Sequence, residues 1–334
     1  MSYRLFLGNV AAAAVLVADA GSFAVSGQNV NLLWKRVMPA ASGSFSLTGQ
    51  NVNLKVGKKL AADSGSFSLT GQSVNFPYNQ ILAASSGSFS LTGQNVNLTQ
   101  QRKLSANAGT FILTGENVNL LFKRRLVADA GSFIITGQDI AFPFNKVLAA
   151  NAGSFNISGQ NVSLLFNRRL AADSGSFTLS GQNVNLLYKR ILRSDAGSFS
   201  ISGQDIFLLR GKKLLANSGS FLLNGQNANL LFKRNFSAGA GSFILTGQNV
   251  TFNKGHILSA SSGSFTLTGQ NVNFLISKKL SAGSGSFVMS GQDASLIRGR
   301  IISVDQGVYN ISGQDVTMVW VELSGEYYQA IFMM

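Results

Sequence analysis

Pairs of cationic side chains recur in this chain on a fixed beat: Lys35-Arg36, Lys58-Lys59, Lys123-Arg124-Arg125, Arg168-Arg169, Lys189-Arg190, Lys212-Lys213, Lys233-Arg234 and Lys278-Lys279. All fall in one short window of a 22-residue period, and of the 27 lysines and arginines only Arg4, Lys55 and Arg193 lie outside it. Clustered cations attract phosphates and carboxylates, so the chemistry they offer is polyanion binding. Lys and Arg equally mark a surface corner that must stay hydrated and refuse edge-to-edge pairing. The position just before these pairs holds Phe122, Phe166, Tyr188 and Phe232, but also Arg210, Lys254 and Arg298. A cation in a dry core is prohibitively costly, so this column is expected at the rim. Aromatics mixed with cations there fit a sugar- or base-stacking surface, or a subunit interface hidden in an oligomer.

Other reactive groups are sparse. The carboxylates fall at two places in the repeat: Asp63, Asp129 and Asp173 among others at one, and Asp139, Asp205, Asp293 and Asp315 at the second. Asp293 and Asp315 sit in consecutive repeats and are the one pair placed for glycosidase-like work. Asn or Ser fills the same position elsewhere, which is the pattern of an Asx corner rather than a catalytic one. His256 is the single histidine and replaces a basic residue in a variable corner. With no cysteine and no ligand spacing, neither a metal nor a cofactor is expected, and the chain reads as a non-enzyme. Regular Ser and Thr columns (Ser44, Ser46, Thr48) raise ice binding, but Ile112, Ile134, Leu222, Ile244 and Val288 interrupt them.

The elements that must carry these columns follow from the beat itself. The phenylalanine of GSF recurs at 23, 45, 67 and every 22 residues up to 287, and Tyr309 closes the series, with no insertion in fourteen units. Loops of globular folds drift in length; a stack of identical coils cannot. With that Phe as register 0, apolar or small residues fall at 0, 2 and 4, then 7 and 9, then 15 and 17, as in Phe45, Leu47, Gly49, Val52, Leu54, Leu60 and Ala62. Alternation predicts strands, and the parity change between registers 4 and 7 predicts a corner at Gly49-Gln50-Asn51. Further corners are expected at Ala62-Asp63-Ser64-Gly65 and at the basic run. Registers 4 and 20 hold 28 of the 36 glycines, which assigns them to corners and not to phosphate loops.

The predicted fold is therefore all-β: a β-solenoid of about fourteen coils, roughly 67 Å long at the ordinary strand spacing, with a stacked Phe core. Residues 15–317 form the array, 1–14 an N-terminal cap, and 318–334 a C-terminal cap or attachment segment covering an open sheet edge. Two rivals share the arithmetic: a meander buried only in a homotrimeric fibre, and a seven-bladed propeller of 44-residue blades.

Composition agrees with a folded structural chain: 45% hydrophobic, 12% charged, net charge +14. The apolar N-terminus imitates an export signal, yet LVADAGSF at 16–23 recurs at 126–133, so that region is already repeat. No membrane span and no secretion signal are expected.

Tandem units of the form L-x-A-(D/N/S)-(A/S)-G-S-F-x-(L/I)-(T/S)-G-Q-(N/D)-V, covering about Leu16 to Thr317, resemble repeats in fibre-like bacteriophage structural proteins. The resemblance implies a virion component, a tail or head fibre assembled in host cytoplasm and often trimeric, and brings no catalytic residues. The partners it implies are further copies of the chain or other virion proteins, with an anionic host-surface glycan as receptor. Nucleic acid or lipopolysaccharide binding by a repeat module is the alternative, and an adhesin would need a secretion signal.

Overall fold

A computed structural model describes residues 2–5, 9–12 and 20–333, apart from 305, 320–321, 325–329 and registers 12 and 13 of the repeats (35–36, 57–58 and so on every 22 residues to 299–300). The chain divides into two units, Met1–Leu165 and Phe166–Met334. Each is a β-solenoid with no helix among the described residues, and its strands pair in parallel with the strands one repeat away. Parallel pairing at this offset excludes both a propeller, whose blades are antiparallel, and a meander.

One coil of the first unit consists of Ser44–Thr48, Asn51–Val56 and Lys59–Ala62. The first two arms belong to one sheet and the short third arm to the other. Phe45 aligns with Phe67, Val52 with Val74 and Leu60 with Leu82, so every column stacks like on like. In both units most buried residues fall on the registers expected to be apolar, with register 16 (Ala61, Ala171) buried in addition. About eleven turns of 22 residues result, fewer than the fourteen read from the sequence. The outermost aromatics are less enclosed: Phe23 and Tyr309 are only half-buried, while the register-0 Phe residues between them are buried.

The rings at register 0 follow the strand spacing. In the first unit Phe45, Phe67, Phe89, Phe111 and Phe133 stack at 4.8–4.9 Å with interplanar angles of 3–6°. A ring separation equal to the rung separation forces an offset, near-parallel stack, which the aromatic quadrupole tolerates. In the second unit the column tilts where Phe252 and Phe274 replace Leu at register 9. Phe221 and Phe243 stand 6.3 Å apart at 41°, and Phe252 meets Phe265 edge-on at 87°.

The corner expected at Gly49-Gln50-Asn51 separates Ser44–Thr48 from Asn51–Val56, whereas in other coils the same registers straighten. In Thr110–Phe122 and Ser132–Phe144 the chain runs through it as one 13-residue strand, and Gly115 still pairs with Gly137. The hydrogen bonds continue across the bend, as in Gly49 N–H to Thr70 O (3.0 Å) and Asn51 N–H to Gln28 O (2.9 Å). Bonding resumes on both sides of the bend, so the two arms stay in one sheet. The glycines answer to stacking: a Cβ on Gly49 would overlap the carbonyl oxygen of Gly27 in the coil before it, and one on Gly65 that of Gly43.

The strands at the ends of the chain join the same sheets. Ser2–Leu5 pairs in parallel with Ser22–Val25, and Ala330–Met333 with Tyr309–Ser312.

Gly27 and Gly49 share a register, but among the described residues a Cβ on Gly27 meets nothing nearer than Val30 at 3.9 Å. Gly49→Ala is therefore expected to destabilise the first unit by about 1–3 kcal/mol, the usual cost of overpacking, with Gly27→Ala near neutral. Chemical denaturation of the two variants checks this; equal effects would show that glycine serves the turn and not the close approach.

Candidate functional site

The basic corner opens the third arm of each coil. Among the described cations of this corner, Lys59, Arg125 and Lys213 are exposed and Arg169 is half-buried, all at the first position of a short strand. Lys35, Arg36, Lys58, Lys123, Arg124, Arg168, Lys189, Arg190, Lys212, Lys233, Arg234 and Lys278 lie outside the described residues, as does His256, and Lys279 is placed by its backbone alone. At register 14 the file is not uniformly cationic. Lys59 pairs with Ile81, and Lys213 lies between Ile191 and Asn235, so neutral rungs separate most of the charges. Such interleaving lowers the repulsion that an unbroken file at strand spacing would carry.

Phe122, Phe166, Tyr188 and Phe232 end their strands, and their backbones set the register of that column. In the second unit it runs Tyr188, Arg210, Phe232, Lys254, aromatic and cation on alternate rungs.

Several carboxylates are occupied by the stack itself. Asn161 donates to Asp139 (2.7 Å), Asn227 to Asp205 (2.7 Å) and Asn151 to Asp129 (2.7 Å), each from one repeat further on. Where both rungs are Asn the same ladder forms, as from Asn51 to Asn29 and Asn271 to Asn249 (2.8 Å each). The alternation of Asn and Asp at register 6 is thus a donor–acceptor column. Asp293 and Asp315 pair directly across the sheet and both are exposed. Among the described residues no group of three or more potential metal ligands comes together, and no helix is long and apolar enough to cross a membrane.

In the second unit Arg193 departs from the small residue usual at register 16. It reaches Asp195 and lies 3.8 Å from Asp173, which also accepts from Arg169 at 3.1 Å. Asp173 and Asp195 occupy the same register in successive repeats, so the guanidinium neutralises two stacked carboxylates at once.

One surface feature was not picked out by sequence reasoning, and a second contains the Ser44 column already noted. At register 10 of the second unit Leu187, Leu209 and Leu231 align on adjacent rungs, each 40% exposed, with Phe207 beside Leu209 at 43%. They point outward because register 9 points in, and an outward apolar column in a strand that also has an inward one breaks the expected alternation of apolar and polar. The signal was present as LL before the basic corner, hidden beside the aromatic position. In the first unit a shallow groove of about 580 Å³ is lined by Ser42, Ser44, Ser64, Ser66, Ser86 and Ser88 with glycines between them.

No protein-family model, curated protein or solved structure matches the chain.

Replacing Arg193 with Leu leaves Asp173 and Asp195 facing each other with one cation fewer. The second unit should lose up to about 1 kcal/mol, since these groups are partly exposed. Denaturation at low and high salt checks it: the deficit should shrink as salt screens the carboxylates, and a salt-independent deficit would assign Arg193 a packing role.

Proposed function

We propose that this chain is a non-enzymatic structural protein that assembles through its outer sheet face, as a fibre-like component of a bacteriophage virion. The observation that carries the assembly is the apolar column Leu187, Leu209 and Leu231 with Phe207, an exposed hydrophobic strip on rigid strands. Solvent-facing leucines repeated on consecutive rungs favour burial against another surface of the same kind. A strip repeating at rung spacing is matched best by a second strip of equal spacing, which a further copy of the chain supplies. The virion assignment rests on the resemblance of the repeat, and the trimer on the same resemblance.

A second reading, a polyanion-binding module, draws on the exposed Lys59, Arg125 and Lys213. Nucleic acid or lipopolysaccharide binding that weakens with salt and is lost in K123A/R124A/R125A would favour it over assembly.

The assembly is tested by light scattering on the purified chain and on Leu209→Asp/Leu231→Asp. The parent should form a defined oligomer and the variant a monomer with an unchanged circular dichroism spectrum. A monomeric parent, or an oligomer indifferent to both aspartates, overturns the reading. Negative-stain images of the parent distinguish fibres from closed particles.

A further inference from the structure

Register 5 is filled in every repeat by an exposed residue, Gln in all but one of them and Glu116 in that one. Other exposed registers of the same array have drifted. Register 1 of the second unit holds Thr178, Ser200, Leu222 and Ile244, and register 10 passes from Leu231 to Asn253. Recent duplication alone does not explain constancy at an exposed register when neighbouring surface registers of the same repeats have changed.

The fold does not demand the amide. What the stack uses at this register is the backbone carbonyl, which accepts from the next coil, as from Asn271 N–H to Gln248 O and Asp293 N–H to Gln270 O (2.9 Å each). Any residue supplies that acceptor, and Glu116 stands at this register within an unbroken strand. Nor do the side chains form a ladder of their own. Among the described residues the glutamine amides make no hydrogen bond to one another, whereas the adjacent column does, from Asn249 to Asn227 and Asn271 to Asn249. A constant, solvent-facing, unpaired hydrogen-bonding group is left without a structural cause.

We propose that the glutamine file of the second unit, every twenty-second residue from Gln182 to Gln314, is a binding track for a neutral, linear, hydroxyl-rich polymer: a glycan laid across successive rungs. A primary amide offers two donors and an acceptor without charge, which matches a hydroxyl. Rungs recur at about 4.8 Å, so a polymer with its own repeat meets several amides in succession. Asp205, Asp293 and Asp315 directly follow Gln204, Gln292 and Gln314 in the sequence, and their charge repels phosphate, sulfate and uronate polymers from the same track. The track therefore selects against the polyanions that the basic corner would attract. Each rung contributes little and the sum depends on how many are spanned, so affinity climbs with oligosaccharide length.

The full chain is applied to an immobilised panel of neutral polysaccharides (cellulose, xylan, mannan, amylose, chitin) and anionic ones (heparin, hyaluronan). At least one neutral glycan should be retained, with retention preserved in about 0.5 M salt, where charge interactions are screened within a few ångströms. Soluble oligomers of that glycan spanning several rungs should bind roughly tenfold or more tighter than its disaccharide. Gln226→Ala/Gln248→Ala/Gln270→Ala should lose most of the retention with an unchanged melting profile, and Gln248→Glu, a residue the file already tolerates at Glu116, should weaken it severalfold. Retention of the anionic glycans only, binding abolished by salt, no retention of any neutral glycan, or equal retention by the alanine variant each overturns the proposal. The readout is independent of assembly: the aspartate variants at Leu209 and Leu231 address the apolar strip, and these address the amides.

Discussion

Each coil of this protein bonds to the next through parallel strands held in strict register, and that constraint decides nearly everything else. Parallel ladders at a fixed offset place a residue directly over its counterpart one repeat away, so a side chain is selected by how well it stacks on itself. Phenylalanine stacks on its own copy as an offset aromatic pair at 4.7 Å between Phe133 and Phe155. Asparagine stacks as donor over acceptor, and Asp joins the column by accepting from Asn. Glycine is required where the backbone of one coil approaches the next too closely for a Cβ. Fixed repeat length follows from the same cause: one inserted residue would shift every column beyond it out of its partner's shadow and turn apolar residues outward.

The sequence carried the stack and its core because periodicity and alternation are direct consequences of that constraint. The inward registers could be read from Phe45, Leu47, Val52, Leu54, Leu60 and Ala62, and those residues are buried. The bend at Gly-Gln-Asn was legible from the parity change, but its straightening in coils such as Thr110–Phe122 was not, because a parity change reports direction of side chains, not continuity of hydrogen bonds. Two arms of one sheet joined by a glycine bend produce the same pattern as two separate strands. Register 16 shows a related limit: Ala61, Val127 and Ala171 are buried although alternation points them outward. Small residues on a tightly spaced face can be shielded by longer neighbours without belonging to a core. Leu187, Leu209 and Leu231 were passed over for the opposite reason, since a leucine beside an aromatic at a rim looks like an extension of the core until its exposure is known.

Repetition also changes how surface chemistry is weighed. On an ordinary surface one glutamine or one leucine carries little meaning. In a stack, any surface residue becomes a file at strand spacing, and what the file keeps or loses between repeats separates tolerance from demand. The basic positions tolerate replacement: Ile81, Val147, Ile191 and Ile257 stand where Lys59, Arg125 and Lys213 stand in other coils. The leucine strip tolerates Asn253, Thr99 and Lys55, so it is local to part of the array. The glutamine file tolerates only its own carboxylate analogue.

That ordering bears on where a partner is read. A contact made by one patch needs only a few coils to match, and the leucine strip has that character, suited to docking another subunit at one height. A contact with a polymer must be available at every height, because an extended ligand has no preferred starting rung. Only a column that persists coil after coil provides this, and a neutral column avoids the accumulating repulsion that a charged one would add with each rung. The exposed amide is the cheapest group that satisfies both conditions, since it hydrogen-bonds without charge and without joining the Asn–Asp ladder beside it.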